Sequence, residues 1–210
     1  ILYLQVYYVD GKGNYLVPVT VPVPWTQGVA RAALEEMING PTPAQEMRYG
    51  LSSPLPPMTR VLGLTIRDGL AKVDFSEDIM SYDPENERNV LNSIIFTLLQ
   101  FPSVKEVQIM VEGFSPDEFP GGTSGKGTFG WERGLNLEVA DEVIELDSTQ
   151  VITLYFCSVL GENHIFYIPV TRVISADSDI IKATLEELLK GPRPESSLFT
   201  ELPPGTELRN

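Results

Sequence analysis

Apolar residues alternate with polar ones along Leu2, Leu4, Val6 and Tyr8, which predicts a strand, and Asp10-Gly11-Lys12-Gly13-Asn14 supplies the turn into a second strand over 15–21. Pro22 and Pro24 cannot donate to a ladder and predict the end of that strand, and Thr26 is placed to cap a helix. From Ala30 the period changes. Ala30, Ala33, Leu34, Met37 and Ile38 fall at helical spacing, and Gly40-Pro41 stops the helix, because glycine accepts the left-handed cap and proline cannot continue the turn. A loop with Thr42-Pro43 and Ser52-Ser53-Pro54-Leu55-Pro56-Pro57 leads to a strand over 61–67. A turn at Asp68-Gly69 follows, then Ala71, Val73 and Phe75 alternating with Lys72 and Asp74, the clearest hairpin in the chain. Asp83-Pro84-Glu85 opens a helix with the stripe Val90, Leu91, Ile94, Ile95, Leu98 and Phe101, and Pro102 stops it. Val104, Val107, Ile109 and Val111 predict a last strand, ending at Gly113.

The order β-β-α-β-β-α-β, with two helices each apolar on one side, predicts an α+β fold. It is a two-layer sandwich in which the helices cover one face of a mixed or antiparallel sheet. This first domain spans 1–116. Residues 117–150 are turn-rich and read as a connecting segment folded back on it, with short extended pieces around Leu135-Asn136-Leu137-Glu138 and as far as Leu146. At Val151 the pattern starts again. Leu34, Glu35, Glu36 and Gly40-Pro41 recur as Leu185, Glu186, Glu187 and Gly191-Pro192 at one constant offset. At closely similar offsets, Leu154-Tyr155-Phe156 answers Val6-Tyr7-Tyr8, Ile168-Pro169-Val170-Thr171 answers Val17-Pro18-Val19-Thr20, and Leu202-Pro203-Pro204 answers Leu55-Pro56-Pro57. The second helix carries its own expected buried stripe: Ile181, Ala183, Leu185, Leu188 and Leu189. The second domain, 151–210, is thus the N-terminal half of a copy, reaching no counterpart of the Asp68-Gly69 hairpin. A lone hairpin with one helix buries too little surface to stand by itself, so this half is expected to pack on the first domain or to be continued in the natural protein.

Composition narrows the function. A hydrophobic content of 42% with 9% aromatics is ample for packed cores and excludes a disordered tail. The formal net charge of −14 argues against nucleic acid and against anionic lipid surfaces as partners. Cys157 is the single cysteine, so there is no internal disulfide and no multi-thiolate metal site. No stretch approaches the roughly 18 consecutive apolar residues of a membrane span. Ile1 is not a start methionine and lies in a strand pattern, which predicts a removed upstream segment such as a signal or lipid anchor.

The sequence assigns no catalytic, cofactor-binding or metal-binding residue. Gly125-Lys126-Gly127-Thr128-Phe129-Gly130 satisfies G-x-G-x-x-G, but a proline-rich segment precedes it instead of a strand, and Trp131-Glu132-Arg133-Gly134 is a poor helix opening. It reads as a flexible loop whose Gly125 and Gly127 tolerate alanine. Pro120 and Gly127 occupy the positions where a Walker loop needs glycine and a hydroxyl. Cys157 and His164 flank one tight turn and form a candidate nucleophile pair, set against a buried cysteine and an edge histidine. Asp74, Glu77, Asp78, Asp83, Glu85 and Glu87 crowd between a strand and a helix. They lack the spacing of a calcium loop and read as a solvated turn. Tyr3, Tyr7, Tyr8, Tyr15 and Tyr155 gather on the opening strands, where an exposed aromatic edge suits a protein contact.

Leu16-Val17-Pro18-Val19-Thr20, the segment from Ala33 to Pro41, Gly69-Leu70-Ala71-Lys72-Val73-Asp74-Phe75-Ser76 and Phe96-Thr97-Leu98-Leu99-Gln100-Phe101-Pro102 together resemble the GerM domain of sporulation and germination proteins in endospore-forming bacteria. Tyr167 to Thr171 with Leu185 to Pro192 marks a second such domain, and Gly134 to Glu138 resembles the connecting region of the tandem arrangement. The resemblance implies a domain akin to ring-building motifs. It also implies an extracytoplasmic lipoprotein, lying between the membranes around the forespore and anchored only by a removed lipid-bearing segment. Its implied partners are proteins of the channel joining mother cell and forespore, with self-association as a further implication, and no catalytic residue carries over. The reading from a second class is a cell-envelope module that grips carbohydrate or peptide through tyrosine and acidic side chains.

Overall fold

The computed structural model describes residues 1–140, 149–176 and 179–209. The chain divides into two compact units, Ile1–Arg133 and Gly134–Asn210. The α+β class expected from the sequence is the class observed, with helices packed on antiparallel and mixed three-stranded sheets.

In unit 1 the first sheet has the order β2-β1-β3, from β1 (Leu2–Asp10), β2 (Leu16–Val23) and the short β3 (Leu51–Ser52). Pro22 does not end β2. It pairs with Tyr3 as Pro18 pairs with Tyr7, and because β2 is an edge strand, prolines of this parity turn their missing N–H outward, where no ladder bond is needed. Helix α1 (Val29–Asn39) is capped by Gly28 without a side-chain bond. Thr26 instead accepts from Gly28 N at 3.2 Å, two residues before the cap expected of it. Gly40, at φ 74°, ends α1 as anticipated. A further helix, α2 (Pro43–Tyr49), lies where the sequence reading placed a loop: Thr42 and Gln45 close a reciprocal capping box with Pro43 at the first helical position. The second sheet pairs β4 (Val61–Arg67) with β5 (Leu70–Phe75) through Asp68 and Gly69, both at positive φ, and β6 (Glu106–Val111) runs parallel to β5.

Helix α3 (Glu87–Leu99) departs from the one-sided pattern. Beyond the predicted stripe, Glu87, Asn92, Ser93, Phe96 and Thr97 are also buried, so the helix is covered around its circumference. One side meets α1, where Thr97 Oγ1 donates to Met37 Sδ at 3.4 Å. Phe96 packs on Tyr7 at 6.2 Å between ring centroids. Just past the helix, the Gln100 carboxamide closes on the backbone of Gln5, accepting from its N–H at 3.0 Å and donating to its C=O at 2.5 Å, as a neighbouring strand would. The remaining side is covered by residues 117–133. The Trp131 ring lies 5.4 Å from Phe96, Arg133 Nε donates to Asn92 at 2.9 Å, and Phe129 exchanges both backbone bonds with Val107. These residues are a packed layer of unit 1.

Unit 2 repeats the opening of unit 1. β8 (Thr149–Leu160) and β9 (His164–Ser175) pair so that Tyr155 faces Pro169 and Phe156 faces Ile168, as Tyr7 faces Pro18 and Tyr8 faces Val17. The Cys157–Phe199 bridge stands where β1 meets β3 through Val9 and Ser52. On the far edge, β7 (Glu138–Val139) pairs in parallel with β9. Residues expected in one connecting segment thus serve both units; 141–148, including the extended piece expected near Leu146, lie outside the described residues. Helix α4 (Ile180–Lys190) fully buries only Ala183 of the stripe read from its sequence. Ala183 and Glu187 are its buried residues, while Ile181 is 72% and Leu185 40% exposed. The equivalent side of α1 meets α3, and no described residue of unit 2 stands in α3's place.

Two predictions follow from the 117–133 layer. The Glu87 carboxylate accepts from Gly121 N, from Thr123 N at 2.9 Å and from Tyr82 Oη at 3.2 Å. Burial alone pushes this carboxyl up, but the bonds from Thr123, Gly121 and Tyr82 outweigh it and hold it below the ordinary glutamate range. The unfolded chain therefore takes up the proton first. The stabilisation is complete above about pH 4.3 and is lost as pH falls through the lower folded value. In acid denaturation, Glu87→Gln is expected to lose about 1–3 kcal/mol at neutral pH and to flatten the profile in that window. Gly125 is not a tolerant loop position: a Cβ there lies 2.5 Å from the Pro116 carbonyl oxygen, whereas Gly127 has nothing within 4 Å. In thermal melts Gly125→Ala is expected to cost about 1–3 kcal/mol and Gly127→Ala to stay near wild type.

Candidate functional site

The structure separates the candidate nucleophile from its candidate base. Cys157 stands opposite Tyr167 and His164 opposite Leu160, and since successive residues of a strand point to alternate faces, thiol and imidazole lie on opposite faces of the hairpin. Cys157 is buried and paired through its backbone with Phe199, and burial, then the Glu201 carboxylate, pushes its thiol up, away from the thiolate a nucleophile needs. Its face otherwise exposes Tyr155, Tyr167, Val151, Val159 and Ile165.

The acidic residues between β5 and α3 do not converge. Asp74 accepts from Gly113 N, Asp78 from the Ser76 hydroxyl, and Asp83 from Glu85 N, so each of the three carboxylates is engaged with a different protein donor. Glu87 is no member of a solvated turn; it is 5% exposed and fastens the 117–133 layer. Among the described residues no three His, Cys, Asp or Glu side chains are placed to hold a metal ion. The tyrosines divide as well. Tyr3 and Tyr155 are exposed, while Tyr7 and Tyr8 belong to the core. Tyr8 Oη donates to the Glu36 carbonyl at 3.3 Å, and burial followed by the Glu36 charge pushes its phenol up to about 12.

Two polar features were invisible in the one-dimensional pattern. In unit 2, Arg172 is 4% exposed at the side chain and bonds Glu138 at 2.9 Å, Glu187 at 3.1 Å and the Gly191 carbonyl, with its guanidinium 5.5 Å from the Phe156 ring. In the register of unit 1 this position is Val21, so the second copy replaces an apolar contact by a buried ion network, which draws Glu187 of α4 inward. A buried pair of this kind tolerates loss of neither partner. In unit 1, a cavity of about 340 Å³ opens where three segments meet: the β1–β2 turn, the Ser52–Pro56 run, and the approach to α3 with its first turn, carrying Tyr82, Asp83, Asn86 and Asn89. Each segment was legible by itself. Their meeting depends on the pairing of β1 with β3 and on the Asn89 Nδ2 bond to the Gly13 carbonyl, at 2.8 Å, neither of which leaves a local signal.

The profile of the family described as "Germane: Sporulation and spore germination" matches residues 5–117 and 153–210, the two repeats. Over 199 residues the chain is 34% identical to the spore germination protein GerM of Bacillus subtilis (strain 168), an alignment that takes in 94% of this chain and 54% of that protein, so the chain spans about half of that relative's length. Among solved structures, the tandem GerMN domains of the sporulation protein GerM from Bacillus subtilis match with a TM-score of 0.83 at 33% identity, covering 95% of this chain and 71% of that one. The first GerMN domain of the same protein matches with a TM-score of 0.56 at 31% identity over 63% of this chain and 99% of its own. With both repeats matched by the family profile and the whole fold by the tandem domains, the chain belongs to the Germane family of sporulation and spore germination proteins.

Proposed function

We propose that this chain is a non-enzymatic assembly module of sporulation, a scaffold within the channel complex between mother cell and forespore, held outside the cytoplasm by an N-terminal lipid anchor. The observation that carries the proposal is the duplication itself. One hairpin-and-helix unit is built twice in the same strand register, with the third edge contact repeated by the Cys157–Phe199 bridge. Duplication presents like surfaces in series, which serves assembly. Catalysis requires different groups to converge on one reacting atom, and the candidate pair Cys157 and His164 points to opposite faces. The formal net charge of −14 favours protein contacts over phosphate backbones or anionic headgroups. No helix among the described residues is long and apolar enough to cross a membrane.

The test is a pull-down from sporulating cells with the full-length, membrane-tethered protein as bait, read by mass spectrometry. Channel-complex proteins are expected in the eluate. Recovery of wall fragments alone, or of nothing above an untethered control, overturns the scaffold reading. The non-enzymatic part is tested separately: Cys157→Ser and His164→Ala are each expected to leave spore yield and germination unchanged. Loss of either with an unaltered melting curve would establish chemistry at that hairpin.

A further inference from the structure

We infer that the cavity at the end of the first hairpin of unit 1 is a binding site for an uncharged, hydroxyl-rich ligand of saccharide size. Its volume of about 340 Å³ lies at the small end of the roughly 300–1,000 Å³ of ligand sites and accommodates one or two sugar rings. The polar lining is mixed in kind. The Asn86 carboxamide and the Ser52 hydroxyl make no hydrogen bond among the described residues, Asn89 spends its amide hydrogens on the Gly13 carbonyl and keeps Oδ1, and Asp83 spends Oδ1 on Glu85 N and keeps Oδ2. Such a set offers donors and acceptors side by side, which matches hydroxyl groups, each of them donor and acceptor at once.

The same lining argues against the other ligand classes. No lysine or arginine lines the cavity, so a phosphate or carboxylate finds no counter-charge. The only carboxylates are Asp10 and Asp83, and Asp10 Oδ1 already accepts from Asn14 N at 2.7 Å and Tyr15 N at 3.1 Å. A hard cation, which takes six to eight oxygens, is therefore poorly served. The apolar wall is formed in advance. Ser53 Oγ donates to the Met37 carbonyl at 2.9 Å and accepts from Leu55 N at 3.2 Å, which fixes the loop carrying Pro54 and Pro56. Tyr82 is tethered through its hydroxyl to Glu87, so its ring is a fixed platform for the C–H face of a sugar. This site stands on unit 1 alone and is independent of the assembly role proposed above.

The test is a heteronuclear NMR titration of the 210-residue chain with glucose, N-acetylglucosamine and chitobiose, with phosphate and free lysine as charged controls. Shifts confined to amides of the three segments at millimolar neutral sugar are expected, with Asn86→Ala weakening binding about five- to tenfold, the loss of one hydrogen bond. The Asn86 side chain is exposed and makes no hydrogen bond among the described residues, so an unchanged melting curve is expected to accompany that loss. Tighter binding of chitobiose than of either monosaccharide identifies a wall polymer as the source of the ligand, and equal binding identifies free sugars. Absence of shifts at every sugar, shifts elsewhere on the chain, an unaffected Asn86→Ala variant, or preference for phosphate or lysine overturns the proposal.

Discussion

A helix buried around most of its circumference must have every polar side chain it buries answered within the protein, and in unit 1 that demand dictates where the rest of the chain goes. Helix α3 brings Glu87, Asn92, Ser93 and Thr97 into the interior along with its aliphatic stripe. Ser93 turns its hydroxyl back on Val90 O, Thr97 finds Met37 and Glu87 takes the Tyr82 hydroxyl, but Glu87 and Asn92 also have partners far along the chain. They are met by Gly121, Thr123 and Arg133, from a stretch of turns with little regular structure of its own. A buried carboxylate without those donors would cost several kcal/mol. Through these bonds and the buried Phe119 and Phe129, the turn-rich layer is tied into the core of unit 1 although most of its residues face solvent.

The two repeats show how one backbone plan is filled in two ways. Where unit 1 uses Val21 against the helix, unit 2 uses Arg172, and where Glu36 is half-buried, its counterpart Glu187 is buried as a partner for that arginine. Register and end-caps are kept: both helices end on a glycine at positive φ, Gly40 and Gly191. What differs is the far side of the helix. Leu34 is fully buried and Leu185 is not, because α1 has α3 against it and no described residue of unit 2 takes that place beside α4. Backbone geometry is conserved between the copies while the chemistry of the interior is not.

Much of this architecture was legible in the sequence for local reasons. Asp68-Gly69 names its own turn, Gly-Pro names its own helix end, and strand alternation gave the hairpins, because each depends on residues a few positions apart. The Thr42-x-x-Gln45 box was also present to be read, and Pro43 obscured it by suggesting a loop. Pro22 misled because its effect depends on whether the strand is an edge, a property of the sheet and not of the strand. Gly125 looked dispensable because the atom it must avoid, the Pro116 carbonyl oxygen, is brought close only by the folded loop. The cavity was hidden for the same reason: Ser52, Tyr82 and Asn86 meet only after β1, β3 and α3 have assembled.

The Gln100 clamp sets an order of events. Gln5 and Gln100 are 95 residues apart, so the outer edge of β1 is finished only after α3 exists, whereas β1 and β2 pair across a short turn. Contacts of such separation form late, since the intervening loop must first be closed against its entropy. A chain made from its N-terminus carries a completed hairpin with one raw edge for most of the time it takes to make unit 1. An open strand edge of that kind is a template for pairing with another chain, and Gln100 is the residue that closes it at Gln5.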